Sequence, residues 1–372
     1  MVAEKKKQHF LAQFYMRNWS VDPDRKRISL YAIRAQKHIA AASIRDQAYE
    51  NYYYGKDGVE DALSEMESIV SPIITKVIAS NMLPVCQSED HVSLLTFVLF
   101  QDARTPTKAA ALDEQIENLT RTLAKNFPDL KDEAAGIRIN GRDTPGISLQ
   151  SMADICPLVL DLRMKLMVNM TSRPFITSDS PAIRYNQFME KRNTGGGNTG
   201  LGNTGLQIFF PLSPRHMLVL YDGGVYRIGG SSHLLPHSQL TGEDDVRALN
   251  VLQAVAADET LYYGSETRGT DVDEMIAAAA PYRGCGKVDL AEHPAIGPDG
   301  SMGTLIQTSI PDMRIGLSLS FVGIVPSAAG SRFDGGLVQL RRPDLIHQYE
   351  SRIMSGGPYD ARAFVDSVRN RK

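Results

Sequence analysis

The chain has 372 residues, more than a typical single domain and fewer than three, so one large domain or two moderate ones are expected. Hydrophobic residues make up 42% and charged residues 22%, a composition typical of a globular protein rather than a disordered one. Lysine and arginine total 40 against 43 aspartate and glutamate, and the net charge of −3 excludes attraction of the whole surface to nucleic acid or anionic membrane.

The N-terminus and the apolar runs indicate a cytoplasmic protein. The basic cluster Lys5–Lys7 is not followed by the apolar stretch of a secretory signal. Apolar runs such as Leu94–Phe100 fall well short of the ~20 residues of a membrane helix. The cysteines, Cys86, Cys156 and Cys285, are odd in number and far apart, which favours reduced structural thiols over a disulfide or zinc framework. We therefore expect a cytoplasmic location and no membrane partner.

The first half of the chain is predicted to be mostly helical. Residues His9–Trp19 carry aromatic and apolar groups at helical spacing, and Ile28–Ile33 alternates as a strand does. The same helical periodicity predicts four further helices: Val59–Met82, Glu89–Arg104, Thr107–Asn126 and Ile147–Met170. Pro72 lies inside the first of these four and marks a kink.

From Arg173 onward, short extended runs indicate a sheet. Strands are predicted at Pro174–Thr177, Leu206–Leu212, Met217–Tyr221 and Thr260–Tyr263. Thr241, followed by acidic residues, predicts a capped helix that ends near Asp258. Beyond Tyr282, further strands are predicted at Gly303–Ile310, Ile315–Val325 and Leu337–Leu340.

The expected fold class is therefore α+β, with a helical layer packed on a mixed or antiparallel sheet and a β-rich C-terminal extension. We expect the main domain to cover residues 1–281, with the helical layer at about 59–171 and the sheet at about 173–267. The extension covers residues 282–372 and is expected to pack on the main domain or to bind a protein partner.

Three polar residues share one face of the first predicted helix. His9, Gln13 and Arg17 recur at four-residue intervals. A histidine that exchanges protons, an amide and a guanidinium that holds phosphate or carboxylate would suit a substrate-facing edge. The same residues would also suit a polar edge that hydrogen-bonds neighbouring loops.

Four more polar residues fall at ends or in interiors of apolar elements. Gln101 and Arg104 share a face at the end of an apolar helix, where a buried arginine needs a carboxylate partner or an anionic ligand. Asp179 follows a predicted strand, where a carboxylate suits catalysis or metal binding, or an Asx turn. Asn250 lies between apolar neighbours on a predicted helix and needs a buried partner.

The order of these groups resembles one bacterial family. The opening QHFLAQFYMRNW, residues 8–19, is similar to the start of the domain-of-unknown-function 4238 family, although Ala12 stands where that family often has proline. Similar segments follow in the family's order: QDARTP (101–106), TSDSP (177–181), FPLSP (210–214) and the helix around Asn250. The resemblance covers about residues 5–267. It implies that the polar groups on the first helix, at the end of the helix Glu89–Arg104, around Asp179 and at Asn250 are characteristic positions that converge in one site.

The first functional hypothesis is a hydrolase of a phosphodiester or nucleotide, acting in phage defence or toxin biology. His9 would be the general acid or base, and Asp179 would bind Mg²⁺ or Mn²⁺ or orient water. The remaining roles concern the substrate: Arg17 and Arg104 would hold the anion, and Gln13, Gln101 and Asn250 would position it.

The alternative is a binding or sensing module that uses the same residues without turnover. Its ligand would be a small anion or nucleic acid held at a local site, or a protein partner. A third interpretation gives these polar groups only a structural role, as a buried network that links the N-terminal helix, the helical layer and the sheet.

Overall fold

The computed structural model describes residues 6–55, 58–126, 143–192, 197–284, 289–296, 302–309, 312–330 and 339–354. Within these ranges the protein contains ten α-helices and five sheets, of which one is mixed and the others are antiparallel. The predicted α+β class is thereby confirmed. Helices cover both faces of a central sheet, and a second sheet lies at its side.

The α-helices are α1 (Gln13–Met16), α2 (Val59–Ser80), α3 (Glu89–Ala103), α4 (Pro106–Asn126), α5 (Thr144–Ile155), α6 (Gln187–Glu190), α7 (Glu243–Ala256), α8 (Gly269–Ala279), α9 (Pro326–Ala329) and α10 (Pro343–Met354). The strands are β1 (Lys7–His9), β2 (Arg27–Ala32), β3 (Lys37–Ser43), β4 (Tyr49–Asn51), β5 (Arg163–Asn169), β6 (Thr177–Ser178), β7 (Ile183–Tyr185), β8 (Gln207–Ser213), β9 (His216–Tyr221), β10 (Tyr226–Ile228), β11 (His237–Leu240), β12 (Thr260–Tyr263), β13 (Asp289–Ile296), β14 (Met302–Ser309) and β15 (Val322–Ile324).

The central sheet has five strands in the order β11-β5-β9-β8-β7, and only the β11–β5 pair is parallel. Side chains alternate between its two faces. Leu166 and Phe210 face a core shared with α2, α3 and α5. Met167 and Phe209 face a second core that α7 covers. The sheet is therefore buried on both faces, and the helical layer lies on one of them.

The second sheet, β3-β2-β12-β6, is antiparallel and joins the central sheet through the N-terminal segment. The Tyr15 hydroxyl lies 2.7 Å from Thr177 Oγ1 on β6 and donates to the Pro211 carbonyl on β8 at 2.7 Å. Trp19 Nε1 donates to the Phe175 carbonyl at 3.0 Å. Two buried aromatic residues of α1 and the following turn thus tie the two sheets together.

Two predicted helices are wrong over part of their length. At the N-terminus, His9 pairs with Tyr49 between β1 and β4, so the helix begins only at Gln13 and ends as a 3-10 turn at Trp19. The predicted helix 147–170 ends at Ile155, because proline follows at 157. Its second half is β5, a central strand whose consecutive buried residues hide the alternation that marks a strand.

The capped helix begins as predicted near residue 243, but its cap is different. The residue at the cap is Gly242, and no side chain caps the helix there. In the first turn, Asp245 accepts a hydrogen bond from the Ser320 backbone N–H at 2.7 Å. The Asp245 carboxylate therefore connects the first turn of this helix to the C-terminal part of the chain.

Two described C-terminal stretches, residues 312–330 and 339–354, pack on the preceding part of the chain, whereas β13 and β14 form a two-stranded sheet of their own. Leu317 and Phe321 belong to the second core, and β15 pairs with β10. Arg341 Nε donates to Asp161 at 2.7 Å. Besides strands the region contains α9 and α10, which were not predicted. The boundary near residue 281 stays a prediction.

The helices and the cysteines bear on the predicted compartment. In the described part of the chain, no helix is both long and apolar enough to cross a membrane. Cys86 and Cys156 are free thiols, whereas Cys285 lies outside the described residues. The cytoplasmic location stays a prediction.

The Tyr15 hydroxyl offers a test of the link between the sheets. Tyr15→Phe leaves Thr177 and the Pro211 carbonyl without a buried partner, so we expect the free energy of unfolding to fall by about 1–3 kcal/mol. Urea denaturation followed by the fluorescence of Trp19, the single tryptophan, measures this. Tyr282→Phe is the matched control, because that side chain is 40% exposed. Equal stability of the two variants would contradict the link.

Candidate functional site

A pocket of about 460 Å³ lies between the N-terminal segment and α2. We call it the N-terminal pocket, and seven side chains line it: Lys7, His9, Gln13, Arg45, Glu60, Ser64 and Glu67. All seven are polar or charged. Two of them, His9 and Gln13, are among the residues predicted to form a site.

His9 sits at the end of β1 and is held at both ring nitrogens. Nδ1 lies 3.0 Å from the Gln47 carbonyl, which can only accept, so Nδ1 carries the proton. Nε2 lies 2.9 Å from Gln13 Nε2, which donates to it. Burial lowers the pKa of His9 below its ordinary value, with the Gln47 carbonyl acting in the opposite direction. The imidazole is therefore neutral near pH 7, with its lone pair at Nε2.

Gln101 and Arg104 lie behind the N-terminal pocket rather than in its wall. Arg104 is 1% exposed and donates from Nη1 to Glu67 Oε1 at 2.8 Å. Its Nε lies 3.1 Å from Gln101 Oε1, and Gln101 donates to the Phe10 carbonyl at 2.8 Å. Burial is the largest influence on the pKa of this guanidinium and lowers it, but Glu67, Tyr54 and Glu60 together outweigh burial, and the pKa lies above its ordinary value. Arg104 has the carboxylate partner that its burial requires.

Arg17 is not brought to the pocket. It belongs to the 3-10 turn after α1, where the residue spacing departs from 3.6 per turn, and its side chain is exposed. His9 and Gln13 are in contact, but His9 lies on β1 and not on the helix predicted for both, and Arg17 does not continue their row.

Asp179 lies away from the pocket and holds a turn between α7 and β12. Its carboxylate accepts from the backbone N–H groups of Asp258, Glu259 and Thr260 at 2.8, 2.7 and 2.9 Å. Burial raises the pKa of Asp179 to about 6, although these donors favour the charged form. A metal ion would have to displace the N–H groups that surround both oxygens.

Asn250 is likewise occupied by backbone groups. Its Oδ1 accepts from the Ile176 N–H at 3.1 Å, and its Nδ2 donates to the Pro174 carbonyl at 2.9 Å. The side chain is buried on α7 and makes the two hydrogen bonds that a neighbouring strand would otherwise make to the irregular segment before β6. Asn250 therefore satisfies backbone hydrogen-bonding groups in the segment that leads to Asp179.

The predicted residues other than Arg17 thus separate into two places. His9, Gln13, Gln101 and Arg104 converge at or behind the N-terminal pocket, whereas Asp179 and Asn250 serve the segment before and after β6. The sequence reasoning missed the remaining lining residues: Lys7, Arg45, Glu60, Ser64 and Glu67. The available signal was the spacing of residues 60, 64 and 67, which share one face of a helix.

The described residues contain no cluster of three or more histidine, cysteine, aspartate or glutamate side chains that could hold a metal ion. Within the pocket, Glu67 is bound to Arg104. The predicted Mg²⁺ or Mn²⁺ therefore has only Asp179 as its assigned ligand, and backbone N–H groups rather than oxygen donors surround that carboxylate.

The motifs that contain these residues lie within the span of a known family. The profile of the family described as protein of unknown function (DUF4238) matches residues 7–267, so the chain belongs to that family. No curated protein and no solved structure shows significant similarity to it.

Asp179→Asn tests whether this carboxylate is a metal ligand or supports the fold. Asparagine has one acceptor oxygen, so at least one buried N–H loses its partner and the free energy of unfolding should fall by about 1–3 kcal/mol. Asp24→Asn on the surface is the control. Denaturation is measured with and without Mn²⁺. Stabilisation of the wild type by Mn²⁺ that Asp179→Asn alone abolishes would support a metal ligand instead.

Proposed function

We propose that the N-terminal pocket binds a small ligand that carries an anionic group. The observation that carries this proposal is Arg45, whose exposed guanidinium lines the pocket and whose charge interacts, among the described residues, with the neighbouring Asp46 carboxylate. A guanidinium binds carboxylate and phosphate groups through two parallel hydrogen bonds. The volume of the pocket is in the range that small-molecule sites occupy.

Lys7 and Gln13 support the same ligand chemistry. Lys7 lies on the wall beside Arg45, and its ammonium binds Asp46 at 2.6 Å. This partner raises the pKa of Lys7 above its ordinary value, so the ammonium stays charged. Gln13 adds an amide that reaches the same space as His9. A binding or sensing module for a small anion is the function that these residues support best.

Hydrolysis of a phosphodiester or nucleotide is the second candidate, and the geometry of His9 favours it. Its proton is fixed on Nδ1 by the Gln47 carbonyl, and the Nε2 lone pair faces Gln13 at the pocket. A neutral imidazole suits a general base once an attacking water replaces the Gln13 amide at Nε2. A setting in phage defence or toxin biology would rest on this activity.

Arg45→Ala tests the binding proposal. Loss of the guanidinium should weaken binding of inorganic phosphate, pyrophosphate or AMP about ten-fold, measured by isothermal titration calorimetry at low salt. Arg34→Ala is the matched control, because Arg34 is exposed and pairs with Glu259 away from the pocket. Equal affinity in the two variants, or no heat with any of the three anions, would contradict an anion site here.

The hydrolase candidate predicts a particular pH profile. Since burial lowers the pKa of His9, the rate of bis(p-nitrophenyl) phosphate hydrolysis should rise with pH below the ordinary histidine value and be flat above it. His9→Gln should reduce this rate by about 100-fold or more. His38→Gln, which alters a histidine bound to Tyr263 and Asp273, should not. Absence of turnover with and without Mg²⁺ or Mn²⁺ would leave binding as the function.

A further inference from the structure

The turn that joins β8 to β9 brings a serine and a histidine into direct contact. Ser213 belongs to the motif FPLSP at the end of β8, and His216 is the first residue of β9. Ser213 Oγ lies 2.7 Å from His216 Nδ1. The Pro211 carbonyl of the same motif accepts from Tyr15, whereas the serine hydroxyl has this histidine as its partner.

The other side of the imidazole is held by the residue that ends α2. Asn81 follows α2 in the left-handed conformation, which asparagine tolerates, and its Oδ1 lies 2.7 Å from His216 Nε2. An amide oxygen can only accept, so Nε2 carries the proton and Nδ1 keeps its lone pair. The Ser213 hydroxyl therefore donates to Nδ1. Burial lowers the pKa of His216, which keeps the imidazole neutral near pH 7.

Hydroxyl, imidazole and amide thus stand in the order of a nucleophile, its base and the group that orients the base. The backbone N–H of Arg215 donates to Ser213 Oγ at 3.2 Å, the contact by which a serine shapes a tight turn. A serine that only shapes this turn would need no histidine and no asparagine beyond it. The turn therefore does not account for the contacts of His216.

These three residues lie apart from the N-terminal pocket, just below the surface. Asn81 follows the last turn of α2, about 20 Å along the helix from Glu67. Ser213 and His216 are 6% and 8% exposed, whereas Met82, directly after Asn81, is 63% exposed. Val168, which is partly exposed, lies opposite His216 in the β5–β9 pair. A short apolar group suits this narrow and partly apolar approach to the hydroxyl.

We propose that Ser213, His216 and Asn81 form an esterase site for carboxylic esters with a short acyl group. Ser213 Oγ forms a bond to the ester carbonyl carbon while its proton passes to His216 Nδ1. The bond from that carbon to the alcohol oxygen then breaks, and this oxygen takes the proton from His216. Alcohol leaves, and an acyl-serine remains. Asn81 is a positioning residue, because it acts only through the imidazole.

Water completes the reaction by the same route. Its oxygen forms a bond to the acyl carbon while His216 Nδ1 takes one of its protons. The bond between that carbon and Ser213 Oγ then breaks, the proton returns to Oγ, and the carboxylic acid departs. The Arg215 N–H, already directed at Oγ, is the donor available to the charge that forms beside it.

Covalent labelling of the full wild-type chain with a fluorophosphonate tests the nucleophile. Ser213 Oγ would form a bond to phosphorus, fluoride would leave, and His216 would take the proton. We expect one label per chain, located on Ser213 by mass spectrometry. Ser68→Ala, at an exposed serine of α2, is the control and should be labelled like the wild type. A chain that takes no label at Ser213 would overturn the proposal, and this measurement needs no variant to fold.

Hydrolysis of p-nitrophenyl acetate and butyrate tests the base. Ser213→Ala and His216→Gln should each lower kcat about 100-fold or more. His38→Gln, which alters a histidine bound to Tyr263 and Asp273, should leave kcat unchanged. Trp19 fluorescence reports whether each variant is folded. No turnover by the wild type, or equal rates in folded Ser213→Ala and wild type, would show that the three residues serve the fold alone.

Two substitutions of Asn81 separate positioning from a purely structural role. Asn81→Ala should lower kcat about ten-fold and leave KM unchanged, because Nε2 loses the acceptor that fixes the tautomer. Asn81→Asp restores an acceptor and adds a negative charge that stabilises the imidazolium, so its kcat should equal or exceed that of the wild type. Equal losses of kcat in the two variants would contradict the role assigned to Asn81.

Discussion

The buried guanidinium of Arg104 is the interaction on which the N-terminal half of this structure depends. It lies at the C-terminal end of α3, where the helix dipole favours a cation, and it is almost fully buried. A buried arginine that lacks its carboxylate costs about 3–5 kcal/mol, so Glu67 has to stay within reach. This requirement fixes α2 against α3 and turns one carboxylate of α2 toward the pocket.

The N-terminal segment is fixed from the other side of the same group. Gln101 accepts from Arg104 and donates to the Phe10 carbonyl, so the charge of Arg104 is connected to the backbone between His9 and α1. Farther along, Tyr15 and Trp19 anchor the segment to both sheets. A segment with little regular structure of its own therefore holds Lys7, His9 and Gln13 rigidly, which a binding site requires.

Most helices could be predicted because their apolar residues repeat at 3.6 and their other face is solvated, as in α2. The strand β5 could not, because three consecutive residues, Lys165–Met167, are buried in the middle of a covered sheet. For the site, buried polar residues such as Arg104 and Asn250 could be selected because burial demands a partner. Their partners could not, since Glu67 on an amphipathic helix looks like any solvated glutamate until the packing is known.

The same distinction explains what the family motifs specify. The segments around Asp179, Pro211 and Asn250 supply hydrogen bonds to backbone groups, and their role in this structure is to hold irregular chain in place. The opening motif supplies His9 and Gln13, which belong to one wall of the pocket. Glu60 and Glu67 of α2, which also line the pocket, lie outside these motifs. The family motifs therefore account for hydrogen bonds that hold irregular chain in place and for His9 and Gln13 in the pocket, while the side chains that α2 adds to the lining lie outside them.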